Sequence, residues 1–120
     1  MMRLNIFQKA APLLKEKKLN IDPDAFLSFM GQYQSGDWIY PNALHRELKI
    51  ALKDIYIALE VFVDNGLTEQ YLEIYCPNCQ RFTGCIYKTA LEIPEIVYCV
   101  HCDCEIIAPL QHAIIIYKVL

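Results

Sequence analysis

The sequence predicts an α+β chain in which helices come first and a β-ribbon gathered by four cysteines comes last. Three observations carry this. Asp22-Pro23-Asp24 is a strong helix start ahead of an apolar stripe. Leu67 to Tyr75 is a β-type run behind Asn65-Gly66. Two Cys-x2-Cys pairs lie 19 residues apart in the second half of the chain. With 120 residues, 55% of them hydrophobic and 21% charged, the chain has ample apolar material for a core, which argues against a disordered protein.

Residues 1–20 read as a basic N-terminal helix. Leu4, Phe7, Ala11 and Leu14 recur at helical spacing over residues 3–18. Pro12 lies inside the pattern and either kinks the helix or opens a second one in its first turn. Lys15-Glu16-Lys17-Lys18 reads as a solvated helix end whose cations complement the dipole. Residues 21–75 form the next module. Asp22 caps, Pro23 suits the first helical position, and Ala25, Phe26, Phe29, Met30 and Tyr33 give a buried stripe to about Gln34. Ser35-Gly36-Asp37 breaks it, and Trp38-Ile39-Tyr40 is extended. Pro41 or Asn42 opens a helix with Leu44 and Leu48 inward. After a tight corner near Lys49-Ile50, a third helix runs from about Leu52 to Asn65, with Gly66 as its C-terminal cap. In the strand that follows, Leu67, Tyr71, Glu73 and Tyr75 share one side, and Leu72 and Ile74 the other. This strand runs straight into Cys76 with no Ser/Gly-rich linker, which predicts a rigid junction with the next module, residues 76–110. Residues 111–120 end the chain as an apolar strand. Its Ile114-Ile115-Ile116 run calls for cover on both faces, from the protein's own sheet or from a partner or second copy.

The net charge is -3, unevenly spread. Residues 1–20 carry five basic side chains and one acidic, residues 21–72 three and eight, and residues 73–120 three and five. The acidic middle disfavours a phosphate backbone as partner. No apolar run reaches the roughly 18 residues of a membrane span, and the first 18 residues lack a secretory pattern. The expected compartment is therefore the cytoplasm, where six cysteines are not a disulfide framework.

Cys76-Pro77-Asn78-Cys79 and Cys99-Val100-His101-Cys102 follow the spacing C-x2-C-x19-C-x2-C, within the range of a zinc site. Two thiolates two residues apart can face one ion from a single tight turn. Two such turns held side by side by β-strands supply a tetrahedron of sulfurs. Each pair follows a β-type sequence, as in a four-cysteine zinc ribbon. Four protein ligands leave no position for an activated water, so one Zn²⁺ here is structural. A ribbon of about 35 residues has almost no core of its own, so metal binding and folding should be one event. Iron in a rubredoxin-like site uses the same four sulfurs, and both metals stay open at this point. Cys85 and Cys104 read as buried free thiols, with Cys104 the poorer competitor for the ion. His101 reads as a solvent-facing turn residue, and His45 and His112 stand alone. No phosphate loop, nucleophile elbow or paired carboxylates appear, so neither an enzyme nor a small-molecule substrate is expected.

Helix, short strand, helix, turn, helix, strand is the order of a winged helix-turn-helix. Leu44 to Pro77, "LHRELKIALKDIYIALEVFVDNGLTEQYLEIYCP", resembles that family, a likeness covering roughly residues 21–75. A winged helix followed by a four-cysteine ribbon is similar in module order to the TFIIE-alpha/archaeal TFE group of transcription factors, and to small bacterial accessory proteins with the same two modules. The chain departs from them in length and in its isoleucine-rich end. The resemblance implies modules that act as docking surfaces on large machinery. In a DNA-reading member the third helix presents a basic face. Here the expected outward set is Lys53, Asp54, Ile57, Glu60, Val61 and Asp64, with Leu52, Ile55, Leu59, Phe62 and Val63 inward. Ile57 and Val61 add a second apolar side, to be covered by the N-terminal helix or by another protein. The sequence thus predicts a non-catalytic adaptor that docks on a larger assembly or oligomerises, with Ile57, Val61, Ile114, Ile115 and Ile116 as interface. A winged-helix regulator contacting duplex DNA through Arg46, Lys49 and Lys53 is the alternative. A redox or zinc sensor using Cys85 or Cys104 is the second.

Overall fold

The computed structural model describes residues 5–120, and the chain divides into two compact units: Met1–Glu69 with Tyr117–Leu120, and Gln70–Ile116. The expected roles of Arg3 and Leu4 lie outside the described residues. Among the described residues the fold is α+β, with four α-helices and antiparallel sheets.

The first unit opens with a tight turn rather than a long helix. Asn5 accepts from the Phe7 N–H at 3.1 Å and starts a 3-10 turn, Ile6–Ala10. Helix α1, Ala11–Glu16, then begins with Pro12 in its first turn, where a missing N–H costs nothing. Of the two roles open to Pro12, the structure takes the second. The helix expected over 3–18 is therefore broken at Ala10.

Asp22 caps α2, Pro23–Met30, by accepting from the N–H groups of Asp24 and Ala25 at 3.1 and 3.3 Å. The helix stops at Gly31, short of Gln34. The stripe also differs from the expected one: Phe26, Leu27 and Met30 are buried, Phe29 and Tyr33 are half-buried, and Ala25 is exposed. Gly31 sits at a close approach. A Cβ there would stand 2.6 Å from the Asn5 side-chain amide, which donates to the Leu27 carbonyl at 2.9 Å.

Strand β1 is Trp38–Ile39, and α3, Pro41–Leu48, ends on Lys49 in the left-handed region at φ 56°. Helix α4 spans Leu52–Asp64. Gly66, at φ 71°, terminates it: the Leu67 N–H donates to the Phe62 carbonyl and the Gly66 N–H to that of Val63. These bonds satisfy carbonyls the last turn would otherwise leave open. Ile55, Ala58, Leu59 and Phe62 turn inward, and the Phe62 ring lies 4.8 Å from Phe7 and 6.0 Å from Phe26. The opening turn and α1 both pack against α4. Two residues expected to face outward are buried, Asp54 and Val61, the latter only 4% exposed. Leu52 and Val63 are half-buried rather than core.

Strands β2 (Thr68–Tyr75), β3 (Phe82–Tyr87) and β6 (Ala113–Val119) join β1 in a four-stranded sheet of order β1-β6-β2-β3. Strands β4 (Ile96–Tyr98) and β5 (Glu105–Ile107) form a separate antiparallel pair. The isoleucine-rich end is thus an inner strand of the protein's own sheet, with Trp38 opposite Lys118 and Ile39 opposite Tyr117. Ile116 is buried, and Ile114 and Ile115 are half-buried. Tyr117 is buried too, and its hydroxyl donates to a Glu60 carboxylate oxygen at 3.4 Å. Burial first, then the Glu60 charge, pushes that phenol well above its ordinary pKa. Among the described residues no helix is long and apolar enough to cross a membrane.

Candidate metal centre

Both cysteine pairs sit in turns of the same construction. The Cys76 N–H donates to the Arg81 carbonyl, and the Gln80 N–H donates back to the Cys76 carbonyl, both at 2.9 Å. In the second turn the Cys99 N–H donates to the Cys104 carbonyl at 2.9 Å, and the Asp103 N–H to that of Cys99 at 2.8 Å. The fifth position of each turn is left-handed, Gln80 and Asp103 both at φ 57°. Two unrelated stretches of sequence have therefore folded into one local geometry, which aims both cysteines of a pair to the same side. The first turn is held between β2 and β3, the second between β4 and β5.

The four sulfurs converge. Their ligand atoms all lie within 4.8 Å of one another. Sγ of Cys76 is 3.7 Å from Sγ of Cys102, and Sγ of Cys79 is 3.6 Å from Sγ of Cys99. A tetrahedral ion with bonds of about 2.3 Å to sulfur needs sulfur–sulfur edges of about 3.8 Å. The cluster is close to that spacing and far from the roughly 2.05 Å of a disulfide. The chemistry of the donor set fits a thiophilic metal dication, and all four expected ligands are brought together.

The cluster is also the core of its unit. Cys76 and Cys99 are fully buried beside Ile74 and Ile106, with Cys79, Cys85, Tyr87, Ile93, Cys102 and Ala113 packed around them. The electrostatics call for a cation. Burial, then hydrogen bonds with the Cys76, Cys99 and Cys102 sulfurs, pushes the Cys79 thiol up to about 12. The Cys102 thiol is held down to about 6, chiefly by the Asn78 side-chain amide. That amide donates to Sγ of Cys102 at 3.6 Å and to Sγ of Cys104 at 3.0 Å. Asn78 is the residue that sequence reasoning missed. Its only signal was its place in the turn, between Pro77 and Cys79.

Cys104 is half-buried at the rim of the cluster, tied to Cys102 through Asn78, and Cys85 is half-buried in the surrounding packing. Neither is the fully buried thiol expected. His101 is exposed, as anticipated, with a ring nitrogen 3.1 Å from the Phe82 carbonyl. His45 is exposed and its ring meets the Ile50 carbonyl at 2.6 Å. Arg46, Lys49 and Lys53 are all exposed. Of the expected interface residues, Val61 and Ile116 are already covered, which removes them from any accessible surface. Ile57 remains half-buried in a shallow groove of about 220 Å³ on α4, lined by Lys17, Tyr56, Glu60, Val61 and Asp64.

No protein-family model matches this chain, and no curated protein or solved structure is significantly similar to it.

Proposed function

We propose that this chain is a non-catalytic adaptor whose single Zn²⁺, held by Cys76, Cys79, Cys99 and Cys102, is a structural element, and that the protein works by docking on a larger protein assembly. The observation that carries the first half is the set of four sulfurs within 4.8 Å of one another, two of its edges at 3.6 and 3.7 Å, built into the core of its unit. Four thiolates fill a tetrahedral ion's coordination sphere, and a buried ion with no open position has no site for substrate or activated water. The docking half is supported by large hydrophobic side chains that remain exposed, six of them between Leu91 and Leu110.

The order α2, β1, α3, α4, β2 supports reading residues 21–75 as a winged-helix module, and the two matching turns support the four-cysteine ribbon after it. Metal analysis of protein purified from cells grown without added metal tests the ion. One zinc per chain and no visible absorption are expected, and a red chromophore with one iron would replace zinc by iron. Purification from the native cells tests the role. A stoichiometric protein partner is expected, and a monodisperse monomer that co-purifies with nothing would end the adaptor reading.

One observation favours a second reading. Arg46, Lys49 and Lys53 are all solvent-exposed about the corner between α3 and α4, where a helix-turn-helix protein meets DNA. A filter-binding assay on duplex DNA at low salt decides it, since no measurable affinity would remove DNA from consideration.

A further inference from the structure

We propose that the outer face of the β4–β5 hairpin is the docking surface for an apolar segment of a partner protein that carries Lys or Arg side chains. The proposal rests on the adaptor reading and gives it a place and a partner chemistry. In β4 and β5 the inner residues Val97 and Ile106 are buried, and their neighbours point the other way. The register sets Ile96 opposite Ile107 and Tyr98 opposite Glu105. One face therefore presents Ile96, Tyr98 and Ile107 together, at 43%, 64% and 70% exposure, with Glu105 among them. The outer face of an antiparallel hairpin ordinarily alternates to polar residues. A hydrophobic one marks an interaction site.

Charge decides what kind of partner fits. From Thr89 to Ile116 the chain contains no Lys or Arg, and four acids: Glu92, Glu95, Asp103 and Glu105. All four are exposed. A dication in four thiolates adds a further charge of -2 to the same unit. Two copies meeting through this face would bring two acidic surfaces together, with Glu105 of each on the face itself, so like-charge repulsion opposes self-association. The same charge repels a nucleic-acid backbone. An apolar segment flanked by cations satisfies both the hydrophobic side chains and the acidic rim. Its capture should accelerate at low ionic strength.

The test replaces Tyr98 with the photo-crosslinking residue p-benzoylphenylalanine in the zinc-loaded full chain, added to extract of the native cells. A second protein carries the same residue at Ile57, in the α4 groove. Crosslinked peptides are sequenced by mass spectrometry. The expected product at position 98 is a peptide of another protein with apolar residues and a net positive charge. Its yield should fall about tenfold or more in an Ile107→Asp background that keeps one metal per chain. It should also fall when salt is raised from about 0.1 to about 1 M. Crosslinks at 98 to a second copy, to nucleic acid or to an acidic segment would overturn the proposal. Crosslinks at 57 alone would overturn it while leaving the adaptor reading in place. No crosslink at either position would remove both.

Discussion

Replacing Cys79 with Ser should unfold the cysteine-bearing unit and leave the helical one intact. The magnitude follows from what that unit has besides the metal. Its fully buried aliphatic residues are Ile74, Ile106 and Ile116. At about 1.5–3 kcal/mol for each fully buried side chain, they contribute about 4.5–9 kcal/mol. Structural zinc contributes an apparent value of about 10–16 kcal/mol in small zinc domains near pH 7, more than the aliphatic contribution. Removing one thiolate opens the coordination sphere and forfeits much of that. All four α-helices lie within the other unit, so far-UV ellipticity at 222 nm should be largely retained. Amide protection should vanish selectively across 76–107. Cys102→Ser should behave the same way, whereas Cys85→Ser should keep the metal. Full metal content with native amide protection in both Cys79→Ser and Cys102→Ser would refute the ligand assignment and the energetic reasoning with it.

Three further outcomes are expected. Asn78→Ala removes the amide that donates to Cys102 and Cys104, and should weaken zinc binding about 10–100-fold in competition with a chromophoric chelator, with the fold kept at saturating metal. Zinc affinity should fall as pH falls. The Cys79 thiol titrates near 12 without a cation and is a thiolate when metal-bound, so binding at pH 6–8 displaces its proton. The loss is about tenfold per pH unit for each proton displaced, measured by the same competition at pH 6, 7 and 8. Thr68 is 2% exposed, and its hydroxyl has no hydrogen-bond partner among the described residues. Thr68→Val keeps the shape and removes the desolvated group, so urea denaturation should show stabilisation by about 1 kcal/mol.

The metal site was legible because its information is local. A Cys-x2-Cys bite is set within one turn, and its spacing survives any arrangement of the rest of the chain. The Asp22 cap, the tight corner near Lys49 and the Gly66 terminator were legible for the same reason. What escaped depends on contacts distant in sequence. For the second apolar side of α4 at Val61 the sequence left two covers open, and only the packing of the N-terminal segment against α4 decides between them. Gly31 ends α2 early beside Asn5, 26 positions away. The isoleucine run left two partners open, and only the pairing of Ile39 with Tyr117 places β6 inside the protein's own sheet. Asn78 looked like any turn asparagine until the second cysteine pair arrived beside it.

The matching turns around Cys76 and Cys99 have a consequence for the chain as a polymer. Each turn is a complete local structure, and an ion held by all four sulfurs, as proposed, would fasten one to the other across the 20 positions from Cys79 to Cys99. Closing a loop of that size removes about 3 kcal/mol of freedom from the unfolded chain, as a disulfide would. The fastening would differ in what undoes it. A disulfide yields to a reductant, whereas a link through the proposed metal would yield to a chelator. With the metal bound as proposed, the fold of this half of the protein would depend on metal supply.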